Sequence, residues 1–140
     1  MKDAEKLGQS ATSNQTESTS KKVVTNPTTE NEDPAFANLG ASLAEIKNLK
    51  GVTGYIMRSN TSALLDLPDR DKISQYAFLS HQLHESCLEI AKQLSVSEVE
   101  NVLLEGKNQK ALLINIGENK ICIFMEKNVD HVWVIKRILI

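Results

Sequence analysis

Apolar residues recur at spacings of three or four between Phe36 and Leu49, with Leu39, Leu43 and Ile46 between them, which is one stripe of a helix. Asp33 before Pro34 supplies a good N-cap and a residue pre-set for the first helical position. Lys47 and Lys50 suit the negative end of the helix dipole, and Gly51 suits the left-handed position after it. The pattern predicts a helix over 34–49. From Val52 to Met57 the residues become β-branched and aromatic, broken only by Gly54, and predict a strand. A glycine there weakens the strand and marks a close approach by another element. The polar run Arg58-Ser59-Asn60-Thr61-Ser62 turns the chain into a second short strand, Ala63 to Leu67, which Pro68 ends.

A longer helix is predicted from Asp69 or Asp71, either of which can cap it, to about Leu94. Ile73, Ala77, Leu83, Cys87, Ile90 and Leu94 make one face, and Tyr76, Leu79, Leu83 and Ser86 extend it sideways. A helix lying on one sheet needs an apolar arc of only about 100°. The surplus predicts a second contact beyond the domain's own core.

Three more strands follow, Val99 to Glu105, Lys110 to Ile116 and Lys120 to Glu126, separated by short polar turns containing Gly106 or Gly117. Such short links make an antiparallel meander. Leu112, Ile114, Ile116, Ile121, Ile123 and Met125 alternate with Ala111, Leu113, Cys122 and Phe124, so both faces are apolar and helices should cover both. Asn128 is expected to cap a last helix from Val129 to about Leu139, although Val132-Trp133-Val134-Ile135 also suits a strand. Trp133 is expected in the core. Residues 1–32, rich in Ser, Thr, Asn and Gln, are expected to be a disordered tail before a domain over 33–140.

Charge changes little in this picture. Residues 1–38 carry four Lys against six acids, and the remainder carries twelve of each sign. Without a clustered basic face, no nucleic-acid partner is expected. No apolar run reaches the roughly 18 residues that span a bilayer, and the start has neither a signal-peptide core nor a Gly at position 2. Cys87 and Cys122 show no framework spacing, and a cytoplasmic, reducing location is expected. The Asn14 and Asn60 sequons are then chance matches.

The order helix, two strands, long helix, three strands, helix resembles the roadblock family of dynein-light-chain-type and GTPase-regulating proteins. The likeness covers about residues 36–138. It is carried by the helix running into Gly51-Val52-Thr53-Gly54, by Gln75-Tyr76-Ala77 at the head of the long helix, and by the three-strand meander. One departure is the first hairpin, where the family commonly turns through Asp-Gly and Ser59-Asn60-Thr61-Ser62 has no glycine; Asn60 in the left-handed conformation is the expected substitute.

The resemblance implies an α+β fold with a five-stranded antiparallel sheet. The long helix should lie on one face and the N- and C-terminal helices on the other. It also implies dimers, homomeric or with another roadblock-type chain, in which long helices pair and sheets join through the strand after the long helix. Tyr76, Leu79, Leu83, His84 and Cys87 are the residues expected to pair the helices, and Val99, Asn101 and Leu103 to form the strand edge. The function implied is a non-enzymatic scaffold or regulator for a small Ras-like GTPase. The alternatives are a GTPase-activating factor and a subunit of a dynein-type or membrane-tethered complex.

No cofactor, metal or catalytic residue is expected. His81, His84 and Cys87 are the nearest approach to a metal cluster, but a structural zinc site wants four ligands, and only Cys122 and His131 could add to them. A Cys87–His nucleophile lacks any motif to orient it, and no Gly-rich phosphate loop is present. Asp66, Asp69 and Asp71 read as a capped helix start, and no polar residues converge on a ligand pocket.

Overall fold

The computed structural model describes the backbone of residues 22–25 and the whole of residues 34–139. Chain order is β1 (Lys22–Thr25), α1 (Pro34–Lys47), β2 (Val52–Arg58), β3 (Ala63–Asp66), α2 (Ile73–Gln93), β4 (Asn101–Glu105), β5 (Gln109–Ile116), β6 (Asn119–Glu126) and α3 (His131–Leu139). All strand pairs are antiparallel, in the order β1-β3-β2-β6-β5-β4. The five strands expected are all present. The sixth, β1, falls inside the stretch expected to be a tail, most of which lies outside the described residues. Its physical basis is a Val23-Val24-Thr25 run of β-branched residues meeting the open edge of β3.

The sheet has apolar residues on both faces, and each face has its own helical cover. Tyr55, Met57, Leu112, Ile114, Ile121, Ile123 and Met125 pack with Phe36, Leu39, Leu43 and Ile46 of α1 and with Val134 and Ile138 of α3. Ile56, Leu65, Leu67 and Phe124 on the other face pack with Ile73, Tyr76 and Ala77 of α2. Each such side chain, once buried, contributes roughly 1.5–3 kcal/mol of transfer free energy. The α1 stripe is therefore the one its spacing indicates.

Local chemistry explains the boundaries. The α1 helix ends at Lys47, and a tighter turn (Leu49 N–H to the Ile46 carbonyl, 2.9 Å) carries the chain to Gly51 at φ 94°. The β2–β3 turn does not rely on the left-handed Asn60 that the sequence predicts. Ser95 is the one described non-glycine residue with positive φ. Instead the Ser59 hydroxyl accepts from the N–H groups of Thr61 (3.3 Å) and Ser62 (3.1 Å), and the Asn60 amide reaches Glu118 (2.9 Å). Before α2, the Asp69 carboxylate accepts from the Asp71 N–H (3.1 Å) and opens a single 3-10 turn, Arg70–Lys72.

The last helix also starts later than expected. Asp130, not Asn128, caps it, with one carboxylate oxygen accepting from Val132 (3.0 Å) and Trp133 (3.2 Å). Trp133 is 45% exposed rather than core. Val134 and Ile138 occupy the buried stripe of this nine-residue helix, and the neighbouring position points about 100° away. Arg137 pairs with Glu45 across α3 and α1 at the surface.

Two backbone positions make opposite demands. A Cβ on Gly54 would stand 2.6 Å from the Asp66 carbonyl oxygen and 2.9 Å from Leu67 Cδ2, so β3 closes on β2 only because that atom is missing. The ladder to β6 shifts register at the same place, between Val52 and Gly54. At the end of α2, Val96 N–H reaches the Ala91 carbonyl (2.8 Å) and Ser95 N–H reaches Lys92 (3.1 Å), with Ser95 at φ 60°. This is a Schellman stop with serine where glycine is favoured. Gly54→Ala should lower stability by about 1–3 kcal/mol, read as a lower urea midpoint at unchanged slope. Ser95→Gly should raise it by somewhat under about 1 kcal/mol in the same titration, the relief of left-handed strain being partly offset by glycine's entropy.

Candidate partner interface

The α2 helix is 21 residues long, about 31 Å, and presents two different surfaces. Toward the sheet it turns Ile73, Tyr76, Ala77, Ser80, His84 and Ala91. Ser80, His84 and Ala91 are buried, and the Tyr76 ring meets Phe124 of β6 at a centroid distance of 5.2 Å. Along one flank of that arc stand Leu79, Leu83, Ile90 and Leu94. Leu79, Ile90 and Leu94 are 49%, 56% and 69% exposed, while Leu83 is half-buried. The remaining exposed apolar residues of the helix, Phe78 and Leu88, lie on its other side.

Of the residues expected to pair helices, Leu79 therefore lies on the open flank and Leu83 at its margin. Cys87 is half-buried, and Tyr76 and His84 face the protein's own sheet. Ile90 and Leu94 belong to the exposed set but are not among the expected pairing residues. Their signal is the three- and four-residue spacing from Leu79 through Leu83, and the sequence pattern groups them on one face with Ile73 and Ala77.

The strand after α2 is the outer strand of its side of the sheet. Asn101 of β4 pairs with Ile114 and is exposed, and Leu103, opposite Leu112, packs partly on the α1–α3 core. Val99 precedes the strand. Its carbonyl accepts from the Asn115 side-chain amide (3.0 Å), while Asn115 N–H reaches the Glu100 carbonyl (2.9 Å). Leu104, on the opposite face from Leu103, is 55% exposed. The outer side of β4 has no strand neighbour among the described residues.

His84 is the titratable group at the centre of the α2–sheet contact. Its Nδ1–H donates to the Ser80 carbonyl, one helical turn back (3.0 Å). Burial, more than the nearby positive charges of Arg58 and Lys120, holds its pKa below the usual 6.5 against the opposing effect of the carbonyl. Beneath it, burial pushes the Cys122 thiol up to about 12, against a hydrogen bond from Ser80, so it is inert at neutral pH. His81 is exposed and His84 buried, which sets two of the three residues weighed as a metal cluster in different surroundings. No three His, Cys, Asp or Glu side chains stand together as a metal site among the described residues. A groove between the β4–β5 turn and the end of β6 is lined by Lys107, Asn108, Gln109, Glu126, Lys127 and Asn128, without the apolar lining typical of small-molecule sites.

The protein is an α+β domain, an antiparallel sheet with one long helix on one face and two shorter helices on the other. The chain belongs to the Roadblock/LC7 domain family, whose profile matches residues 40–125. A similar solved structure is the crystal structure of a Roadblock/LC7 domain from Streptomyces avermitilis. It superposes with a TM-score of 0.60, covering 77% of this chain and 90% of that one at 11% identity, a likeness of fold. No curated protein matches the chain. Roadblock domains are scaffold and regulator modules, generally non-enzymatic, that typically dimerise with other roadblock-type chains. No helix among the described residues is long and apolar enough to cross a membrane.

Because the folded pKa of His84 lies below that of the unfolded chain, the unfolded state takes up the proton first as pH falls. The contribution of the neutral ring is complete above about pH 6.5 and is lost progressively below it. Thermal melts should therefore show the wild type losing more stability between about pH 7.5 and 5 than His84→Gln, whose amide does not titrate. Equal losses would mean that His84 is not linked to folding.

Proposed function

We propose that this protein is a dimeric scaffold or regulator that engages a small Ras-like GTPase, or its complex, through paired α2 helices. The observation that carries the reading is the apolar flank of Leu79, Ile90 and Leu94, left open beside the arc that already covers the sheet. Exposed apolar stripes of this kind mark protein interfaces. The open edge of β4, with Asn101 and exposed Leu104, is the natural place for two sheets to join, since its unpaired N–H and C=O groups are a template for another strand. Tyr76, His84 and half-buried Cys87 would support the pairing from within by fixing α2 on its sheet. Val99 and Leu103 would support the edge in the same way.

Family membership supports the choice of partner, and the exposed apolar flank offers shape and area for holding or reorienting another molecule. Its location is proposed to be cytoplasmic, and its pairing partner a second copy or another roadblock-type chain.

Sedimentation velocity on the full chain should show a dimer at micromolar concentration. Leu79→Asp and Ile90→Asp should each weaken it at least about tenfold, with the helical circular dichroism unchanged because both positions are exposed. An unaltered dimer would remove α2 from the interface. Binding of a Ras-like GTPase, and its hydrolysis rate with and without this protein, then separates the outcomes. Binding at an unchanged rate supports the scaffold, acceleration makes the protein an activating factor, and no binding overturns the GTPase assignment.

A further inference from the structure

The sheet ends differently on its two sides. On one side β4 has no strand neighbour among the described residues. On the other, the hairpin strand β3 would be a second open edge, but Lys22–Thr25 lies along it antiparallel, pairing Lys22 with Asp66, Val23 with Leu65, Val24 with Leu64 and Thr25 with Ala63. We infer that Lys22–Thr25 is a self-supplied edge cap, which closes the β3 side of the sheet and leaves β4 as the single edge for joining a second copy of this chain.

Symmetry makes the second edge consequential. One self-complementary edge gives a closed dimer, because each copy uses its patch once. Two such edges on one molecule give a chain of copies without an end, sheet joined to sheet. The β3 edge is suited to such growth: Leu64, Leu65 and Asp66 are buried at a strand that another backbone could extend. The cap removes that option without creating an equally good one. It is only four residues long, it begins with Lys22, which follows Lys21, and Pro27 lies two residues beyond its end. Short length, lysine and proline are the devices by which edge strands resist further pairing.

The cap is also built to be weak by itself and effective through its tether. A four-residue strand gains few ladder bonds and must order its own backbone. Its link to α1 is residues 26–33, and a short covalent link gives an effective concentration on the order of millimolar. The same segment supplied as a free peptide would have to reach such concentrations to do the same job. The inference adds to the proposed dimer a reason for its stopping at two, and rests on that reading only for the role of β4.

The test is the full chain carrying Val23→Pro together with Val24→Pro. Neighbouring residues of a strand point their N–H groups in opposite directions, so one of the two prolines removes a donor to β3 whichever faces it. Amide hydrogen exchange in residues 63–66 should speed at least about tenfold for the amides that point away from β2. Sedimentation should show mass that keeps rising with concentration, where the wild type plateaus. A peptide of residues 18–29 added at millimolar concentration should restore both. Unchanged exchange at 63–66 would show that the segment does not cover β3 and overturn the cap. Faster exchange with an unchanged mass distribution would overturn the limit on assembly. If the wild type sediments as a monomer, the dimer reading fails separately, and the cap then predicts that the double-proline variant alone gains a dimer.

Discussion

Everything in this fold depends on the pairing of β6 with its two neighbours. Ile123 stands opposite Tyr55 of β2 and opposite Leu112 of β5, and all three are buried on the face covered by α1 and α3. Its neighbour Cys122 stands opposite Ile56 and Leu113, all buried on the face under α2. A slip of one residue would exchange the two sets. Both faces are apolar at their centre, so there the slip would present the wrong shapes, Ile123 standing where Cys122 now packs, and it would also turn Lys120 toward the side covered by α1 and α3. Gly54 adds the other restraint, because β3 approaches β2 too closely at that point for any side chain to stand there.

How much of this could be read from the amino acids varied with the physics of each part. The α1 stripe, the hairpin and the meander were legible because period and turn chemistry act locally, and Phe36 to Ile46 could hardly serve another element. The end of α2 at Leu94 was legible for the same reason. Asn60 and Asn128 misled because each is a good residue for its proposed task, while Ser59 and Asp130 do those tasks better from positions one and two residues away. Trp133 misled because a short helix has room for few buried positions, and smaller residues fill them. The Lys22–Thr25 strand was hidden because four residues among Ser, Thr and Asn show no period; their pairing depends on a strand edge some forty positions along the chain.

The candidate surface was legible in part. Surplus apolar residues on α2 indicated more apolar surface than the sheet contact uses, but which of them face the sheet and which stay open depends on the direction in which the helix lies. Lying as it does, the helix gives His84 and Tyr76 to the interior and Ile90 and Leu94 to the surface. Polar residues in such a helix usually face solvent, and His84 reverses that expectation because the Ser80 carbonyl, one turn back, satisfies its Nδ1–H. The same helix thus holds a polar group inside and apolar groups outside.

The order of strands also bears on how the chain reaches this state. Two hairpin-like units, β2 with β3 and β4 through β6, can each form from near neighbours in sequence. They become one sheet only when Tyr55 finds Ile123, an encounter that must close a loop containing the whole of α2. Such distant pairings carry the entropy that slows folding. The β2–β6 seam is then the step at which the two halves commit to each other. Until it closes, each half displays a sheet edge and bare apolar faces, and the speed of that one closure sets how long a newly made chain remains open to the wrong neighbour.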